Sequence, residues 1–185
     1  MHPSTLSENI IFQNEFVTIY NNRVVLPNGA KTDHIKISAH PSNKKKQSHG
    51  VAVLPVTKDG KIILIKEYYY GIDDYLYVVP RGFVEERDIE KAASRELREE
   101  TGYSAKSYKY VQRFVENPRI QDHTTHTFIA HDCVLTHGTN FDKGEVIEKP
   151  ELFSPEEVLS MCQNGEIVDA ITLLVFNLYV NSLKQ

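Results

Sequence analysis

The chain has 185 residues, 41% of them apolar and 25% charged, with a formal net charge of −4. This length suits one globular domain, or one with a small appended piece, and can bury a full core without staples. The acidic balance argues against a nucleic-acid surface, and no apolar run approaches about 18 residues, so neither a membrane-spanning nor a secreted protein is expected.

Two cysteines, Cys133 and Cys162, lack CxxC spacing and read as reduced packing residues, which predicts a cytoplasmic protein. The basic run Lys44-Lys45-Lys46 reads as a solvated loop. Residues 10–40 suggest short strands, IIFQ, FVTIY, RVVL and HIKISAH, with Pro27-Asn28-Gly29 turning the chain between the last two. This β-rich segment, residues 1–48, has little core of its own and needs the remainder, or a second subunit, to cover its apolar side. The main domain is expected over 49–185. It opens with a hairpin, VAVLPV and KIILIKEYYY around Lys58-Asp59-Gly60, and GIDDYLYVVP then leads into a Pro80-Arg81-Gly82 turn, an acidic loop and a helix that Gly102 ends. Strands are expected at about 107–115 and 125–135, with the polar loop ENPRIQD between them and a second loop over 136–144. Ser154-Pro155-Glu156-Glu157 is a capping box opening a helix to about Gln163, and Asp169 caps a last apolar helix. Strands, helix, strands and two helices fit an α/β or α+β sandwich, a mixed sheet with helices on its faces.

The helix before Gly102 carries an anomaly. With Asp88 as N-cap, Ile89, Ala92, Ala93 and Leu97 share one side. Glu96 and Glu100 project within about 20° of that stripe's centre, with Glu99 on its flank. Like charges at i,i+4 cost roughly 0.2–0.5 kcal/mol, and the helix C-terminus disfavours anions by a further 0.3–1 kcal/mol or so each. Arg95 can pair with Glu99, but Glu96 and Glu100 need another partner, and a hard divalent cation takes carboxylate oxygens readily. The plain alternative is a solvated acidic helix end, salt-bridged by Arg95 and Arg98. Without a Ser-His or Cys-His arrangement, a metal-carboxylate site points to metal-assisted attack by water on a substrate such as a diphosphate.

Gly82 followed by Arg95-Glu96-Leu97-Arg98-Glu99-Glu100-Thr101-Gly102-Tyr103 closely resembles the Nudix box, G-x5-E-x7-R-E-U-x-E-E-x-G-U with U apolar. The chain is one residue short between Gly82 and Arg95, and Asp88 stands where the first Glu of the box would fall. The resemblance implies an α-β-α sandwich with the box helix packed on the sheet, and hydrolysis of a nucleoside diphosphate linked to another moiety. It implies Glu96 and Glu100 as metal ligands, Glu99 as a further ligand or assistant, Arg95 as the partner orienting the acids, and the Arg81 carbonyl completing the site. The metal implied is Mg²⁺, with Mn²⁺ as its substitute.

Beyond the box, the N-terminal segment, the hairpin, PRGFVEE and GEIVDAITLLVFNL resemble ADP-ribose and nucleotide-sugar pyrophosphatases. That likeness implies an ADP-sugar such as ADP-ribose as substrate, and a homodimer formed by exchange of N-terminal strands. Glu67-Tyr68-Tyr69 and Val78-Val79-Pro80 depart from the Gln-Tyr-Arg and Glu-Leu-Pro of those relatives, at substrate-contacting positions. Tyr68, Tyr69 and Arg81 are therefore the candidate substrate contacts, with Tyr70, Tyr75 and Tyr77 offering further aromatic faces; packing on the sheet is the other role open to the tyrosines. For the general base, the likeness indicates Glu145 or Glu148, with Glu116 in the other loop as a third choice. His123 and His126 lack the third ligand of a zinc site. Two other functions share these residues: hydrolysis of a dinucleoside polyphosphate or another nucleotide-sugar, and a non-catalytic module that binds ADP-ribose-like ligands.

Overall fold

The computed structural model describes residues 2–39, 49–85, 88–142 and 144–183. Lys44–Lys46 and the boundary at residue 48 lie outside the described residues, as does Glu86 of the acidic loop. Two compact units are present, one of residues 1–49 with 115–124, the other of 50–114 with 125–185.

The first unit is a four-stranded antiparallel sheet. Its centre is β3 (Val17–Val25), with β4 (Lys31–Ala39) along one edge and the short β1 (Ser4–Ser7) and β2 (Ile10–Gln13) each pairing with part of β3. The FVTIY and RVVL segments thus form one continuous strand. Gly29, at φ 83°, closes the β3–β4 turn in the left-handed region that a side chain would strain. Residues 115–124 join this unit: Ile37 N–H donates to Ile120 O (2.6 Å), and Ser38 Oγ donates to Asp122 Oδ2 (2.5 Å). Leu6, Ile10, Ile11, Phe12 and Phe16 are exposed on it.

The second unit is built on an eight-stranded sheet. Its main path runs β10 (Ser107–Phe114), β11 (Thr124–Leu135), β5 (His49–Thr57), β6 (Ile62–Tyr69) and β12 (Glu151–Phe153). Three short strands attach to it: β7 (Asp74–Val78) to β6, β8 (Arg81–Phe83) to β5, and β9 (Tyr103–Ser104) to β11. Alternation along the strands builds two cores. Ala52, Leu54, Val56, Ile62, Leu64 and Ile129 pack with α2 (Pro155–Asn164) and α3 (Ala170–Ser182) through Val158, Ile171, Val175 and Phe176. Val51, Val53, Ile63, Phe128 and Ala130 pack with α1 (Ile89–Thr101) through Ala92, Ala93 and Leu97. Neighbouring residues of one strand thus serve opposite helical layers, which is the expected α-β-α sandwich.

All three helices begin where the capping residues predict. Asp88 caps α1 by accepting from Glu90 N–H, Ser154 forms the full capping box of α2, and Asp169 caps α3 by accepting from Thr172 N–H. Gly102 ends α1 in the left-handed region at φ 76°, and a Cβ there would lie 2.5 Å from His137 O.

One local expectation is corrected. Arg81–Phe83 is not a turn but strand β8, paired with β5 at Ala52↔Arg81, Val51↔Gly82 and Gly50↔Phe83. Pro80 has no N–H to give and favours an extended residue before it, so the chain leaves β6 at Val79 and adopts β5 as its next partner. Among the described residues no helix is long and apolar enough to cross a membrane.

Leu97 is fully buried at the centre of the α1 core. Leu97→Ala should cost about 2–5 kcal/mol through lost burial and the cavity left behind, to be read from the midpoint of urea unfolding.

Candidate active site

Helix α1 buries its acids as it buries its alanines. Glu96 is 6% exposed and Glu100 2%, on the face that carries Ala92, Ala93 and Leu97. Glu99 lies on the flank, half-buried. Arg95 Nη1 bridges two acids, at 2.8 Å from Glu96 Oε1 and 3.0 Å from Glu99 Oε2, while Nη2 donates to Phe83 O at 2.8 Å. Arg95 therefore sets the spacing of two acids and ties them to β8. Glu100 Oε2 accepts from Arg81 N–H at 3.1 Å.

The Glu96 carboxylate lies directly against the backbone of β8. A Cβ on Gly82 would meet Glu96 Oε1 at 2.1 Å and Oε2 at 2.6 Å, so only glycine leaves room for it. Burial pushes the Glu96 carboxyl up to about 7; Arg95 draws it back, and the charges of Glu99 and Glu145 raise it further. Burial also holds Glu100 well above the ordinary carboxylate range, helped by the charges of Glu96 and Glu145.

A crevice of about 70 Å³ opens beside these residues. Gly82, Phe83 and Glu85 form one wall, Arg95 and Glu96 the second, and Asp142 and Glu145 the third. The loop carrying Glu145 is docked at both ends. Asn140 N–H donates to Glu99 O (2.7 Å), Tyr68 N–H to Val146 O (3.0 Å), and Glu148 N–H to Lys66 O (2.9 Å). Glu145 Oε2 accepts from Asp142 N–H at 2.8 Å, and burial raises its carboxyl, an effect that the charges of Glu67 and Glu99 reinforce. Glu148 is not on the crevice wall; its charge acts on Tyr77 instead. Glu116 belongs to the first unit.

The two candidate tyrosines diverge, as neighbours on a strand do. Tyr68 stacks edge-on against Tyr75 with centroids 5.3 Å apart and donates to Asp73 Oδ1 at 2.5 Å. Tyr69 donates to Glu67 Oε2 at 2.6 Å, and burial raises its phenol, with the Arg81 charge opposing. Tyr77 packs edge-on against Phe153, and Tyr70 is 90% exposed, so the tyrosines do not line one pocket. His126 meets the Tyr110 ring.

Arg81, expected as a substrate contact, has its side chain already paired. Its guanidinium is engaged by Asp169, with Nη1–Oδ1 3.1 Å and Nη2–Oδ2 2.5 Å. Sequence reasoning treated Asp169 only as a helix cap, and it passed over Glu67, whose charge raises Glu100 and Glu145. The one signal for Glu67 was its departure from the Gln of the resembling family.

Among the described residues no three acidic, histidine or cysteine side chains already converge as a closed metal cluster; Arg95 occupies the space between Glu96 and Glu99. The donor set nevertheless fits a hard divalent cation. Its donors are anionic oxygens, two of them buried beyond what one arginine neutralises, in a cradle that Gly82 keeps open.

A family model described as NUDIX domain matches residues 46–172. Over 174 residues the chain is 33% identical to a Bacillus subtilis protein named ADP-ribose pyrophosphatase, spanning 93% of this chain and 89% of that one. It is 27% identical to a Bacillus methanolicus protein named methanol dehydrogenase activator, spanning 92% of this chain and 88% of that one. The fold matches a crystal structure described as an ADP compounds hydrolase, with a TM-score of 0.83 over 100% of this chain and 95% of that one, at 19% identity.

Two predictions follow from the geometry. Gly82→Ala should leave the fold intact, because a carboxylate can swing aside, yet lower turnover by about 100-fold through displacement of Glu96; circular dichroism and steady-state rates separate the two effects. The second concerns pH. Glu96 and Glu100 have raised values in the folded, metal-free protein, so they retain protons that the unfolded chain releases, and their ionisation removes stability as pH rises through about 7. Glu96→Gln should therefore gain in Tm over the wild type, increasingly from about pH 5 to about pH 8; a pH-independent difference in EDTA would contradict this.

Proposed function

Because the chain belongs to the NUDIX family, we propose that it hydrolyses the diphosphate bond of a nucleoside diphosphate linked to a second moiety. The substrate is an ADP-sugar such as ADP-ribose, and the products are AMP and a sugar phosphate. The observation that carries this reading is the pair of buried acids, Glu96 and Glu100, set against the backbone of Arg81 and Gly82. The Bacillus subtilis relative supports ADP-ribose as the first substrate to try.

Glu96 and Glu100, with Glu99 and the Arg81 carbonyl beside them, are the residues to hold Mg²⁺ or Mn²⁺. Bound there, the cation would neutralise charge on the diphosphate and leave phosphorus more open to attack by water. Arg95 orients Glu96 and Glu99. Glu145 takes the proton from the attacking water as its oxygen bonds to phosphorus and the bridging oxygen departs with the electron pair. Glu145 is preferred to Glu148 as this base because it lines the crevice, where burial raises its carboxyl above its ordinary value. Tyr69 is preferred to Tyr68 as a substrate contact because it lies close enough to Arg81 and Glu67 to interact with both.

Residues 1–48 form the N-terminal segment and 49–185 the catalytic domain in this reading. The exposed apolar side chains of Leu6, Ile10, Ile11, Phe12 and Phe16 support a homodimer. The cysteine pattern supports the cytoplasm.

With ADP-ribose and Mg²⁺, mass spectrometry should find AMP and ribose 5-phosphate, and EDTA should abolish both. Glu96→Gln and Glu100→Gln should lose about 100-fold or more in turnover, and full Mg²⁺-dependent activity in both would refute the assignment. A panel containing dinucleoside polyphosphates and other nucleotide-sugars tests the substrate, and tight binding without turnover would indicate a binding module. Glu145→Gln should lower kcat by about 10²–10⁴, with Glu148→Gln close to wild type.

A further inference from the structure

The segment from Val79 to Gly82 is held residue by residue, by different elements. Val79 N–H donates to Thr172 Oγ1 of α3 at 3.0 Å. Pro80 O accepts from Val53 N–H of β5 at 2.9 Å. Arg81 N–H donates to Glu100 of α1, and Gly82 receives the Glu96 carboxylate. The segment is therefore the surface on which the acids of α1 are placed.

What fixes that surface from behind is Asp169. Its Oδ2 accepts from Thr172 N–H (2.8 Å), Thr172 Oγ1 (2.7 Å) and Arg81 Nη2 (2.5 Å), while Oδ1 accepts from Arg81 Nη1 (3.1 Å). Asp169 is 15% exposed and Arg81 23%, so the pair is shielded from most of the solvent that weakens surface ion pairs. An N-cap needs only one acceptor for a helix N–H. The remaining bonds of Asp169 do something else: two reach the guanidinium of the residue whose backbone N–H restrains Glu100, and one orients the hydroxyl that holds Val79.

We propose that Asp169 is a positioning residue for the hydrolytic site, acting through Arg81 and Thr172 to hold Val79–Gly82 where Glu100 and Glu96 meet its backbone. This rests on the function proposed above, although its first test does not. Asp169→Asn is the informative variant, because Asn caps helices as well as Asp does but cannot offer Arg81 two anionic oxygens. Thr172→Val is its companion, removing the hydroxyl and leaving the ion pair.

Amide hydrogen exchange in the metal-free protein reads the segment directly. In Asp169→Asn the Arg81 amide should exchange about tenfold faster or more, while amides of α2 keep their wild-type rates. In the loaded enzyme, kcat for ADP-ribose and the affinity for Mn²⁺ measured by electron paramagnetic resonance should each fall about 10- to 100-fold, with KM moving less than about threefold. In the Glu100→Gln background the same substitution should add little further loss of Mn²⁺ affinity, because the two residues act on one contact. Arg81 exchange within about twofold of wild type in both Asp169→Asn and Thr172→Val would overturn the proposal. So would additive losses in the double variant. A wild-type protein inert towards ADP-ribose would refute the proposed substrate while leaving the exchange result to decide the role of Asp169.

Discussion

Two carboxylates buried on the apolar face of one helix are the constraint that the catalytic unit has to satisfy. Raising a carboxyl from 4.5 to about 7, as burial does to Glu96, opposes ionisation by about 3 kcal/mol. Such a cost persists only where the surroundings use it. Here the surroundings supply one guanidinium, one backbone N–H and a glycine with no side chain, which is less than two buried anions require. In the proposed function a hard cation would supply the remainder, and an anionic diphosphate could then enter a site made of acids.

The sandwich delivers these groups because its layers meet at β8. That strand pairs with β5, presents Gly82 to α1, and receives α3 through the Arg81 guanidinium. The loop that carries Asp142 and Glu145 closes the third side, with backbone bonds to α1 at Asn140 and to β6 at Val146 and Glu148. Helix α1, strand β8 and the Glu145 loop thus line a small crevice, and among the described residues the one guanidinium on its wall, that of Arg95, is occupied in holding two of the acids.

Much of this was legible in the residues. Asp88, Ser154 and Asp169 announced the three helix starts because capping is a local hydrogen bond. The apolar, β-branched runs VAVLPV and KIILIK predicted strands, and the misplaced glutamates marked the candidate site. Less legible was the Pro80-Arg81-Gly82 segment, whose composition signals a turn and whose strand geometry comes from a partner, β5, that lies about thirty residues earlier in the sequence. Glu67 and the crevice-facing position of Glu145 were equally hidden, since both depend on how a loop docks against β6.

The sequence by itself determined the helices and their caps, the strand-rich order, the acidic face of α1 and the membership of the family, because each is written in spacings of a few residues. Only the tertiary structure decided which acids share a crevice, that Arg81 turns to Asp169 and not into the open, and that Gly82 exists to seat Glu96. Those are contacts between residues that the chain keeps far apart. Charge and burial act through space, and the distances that set their strength appear only once the sheet has brought α1, α3 and the Glu145 loop to the same strand.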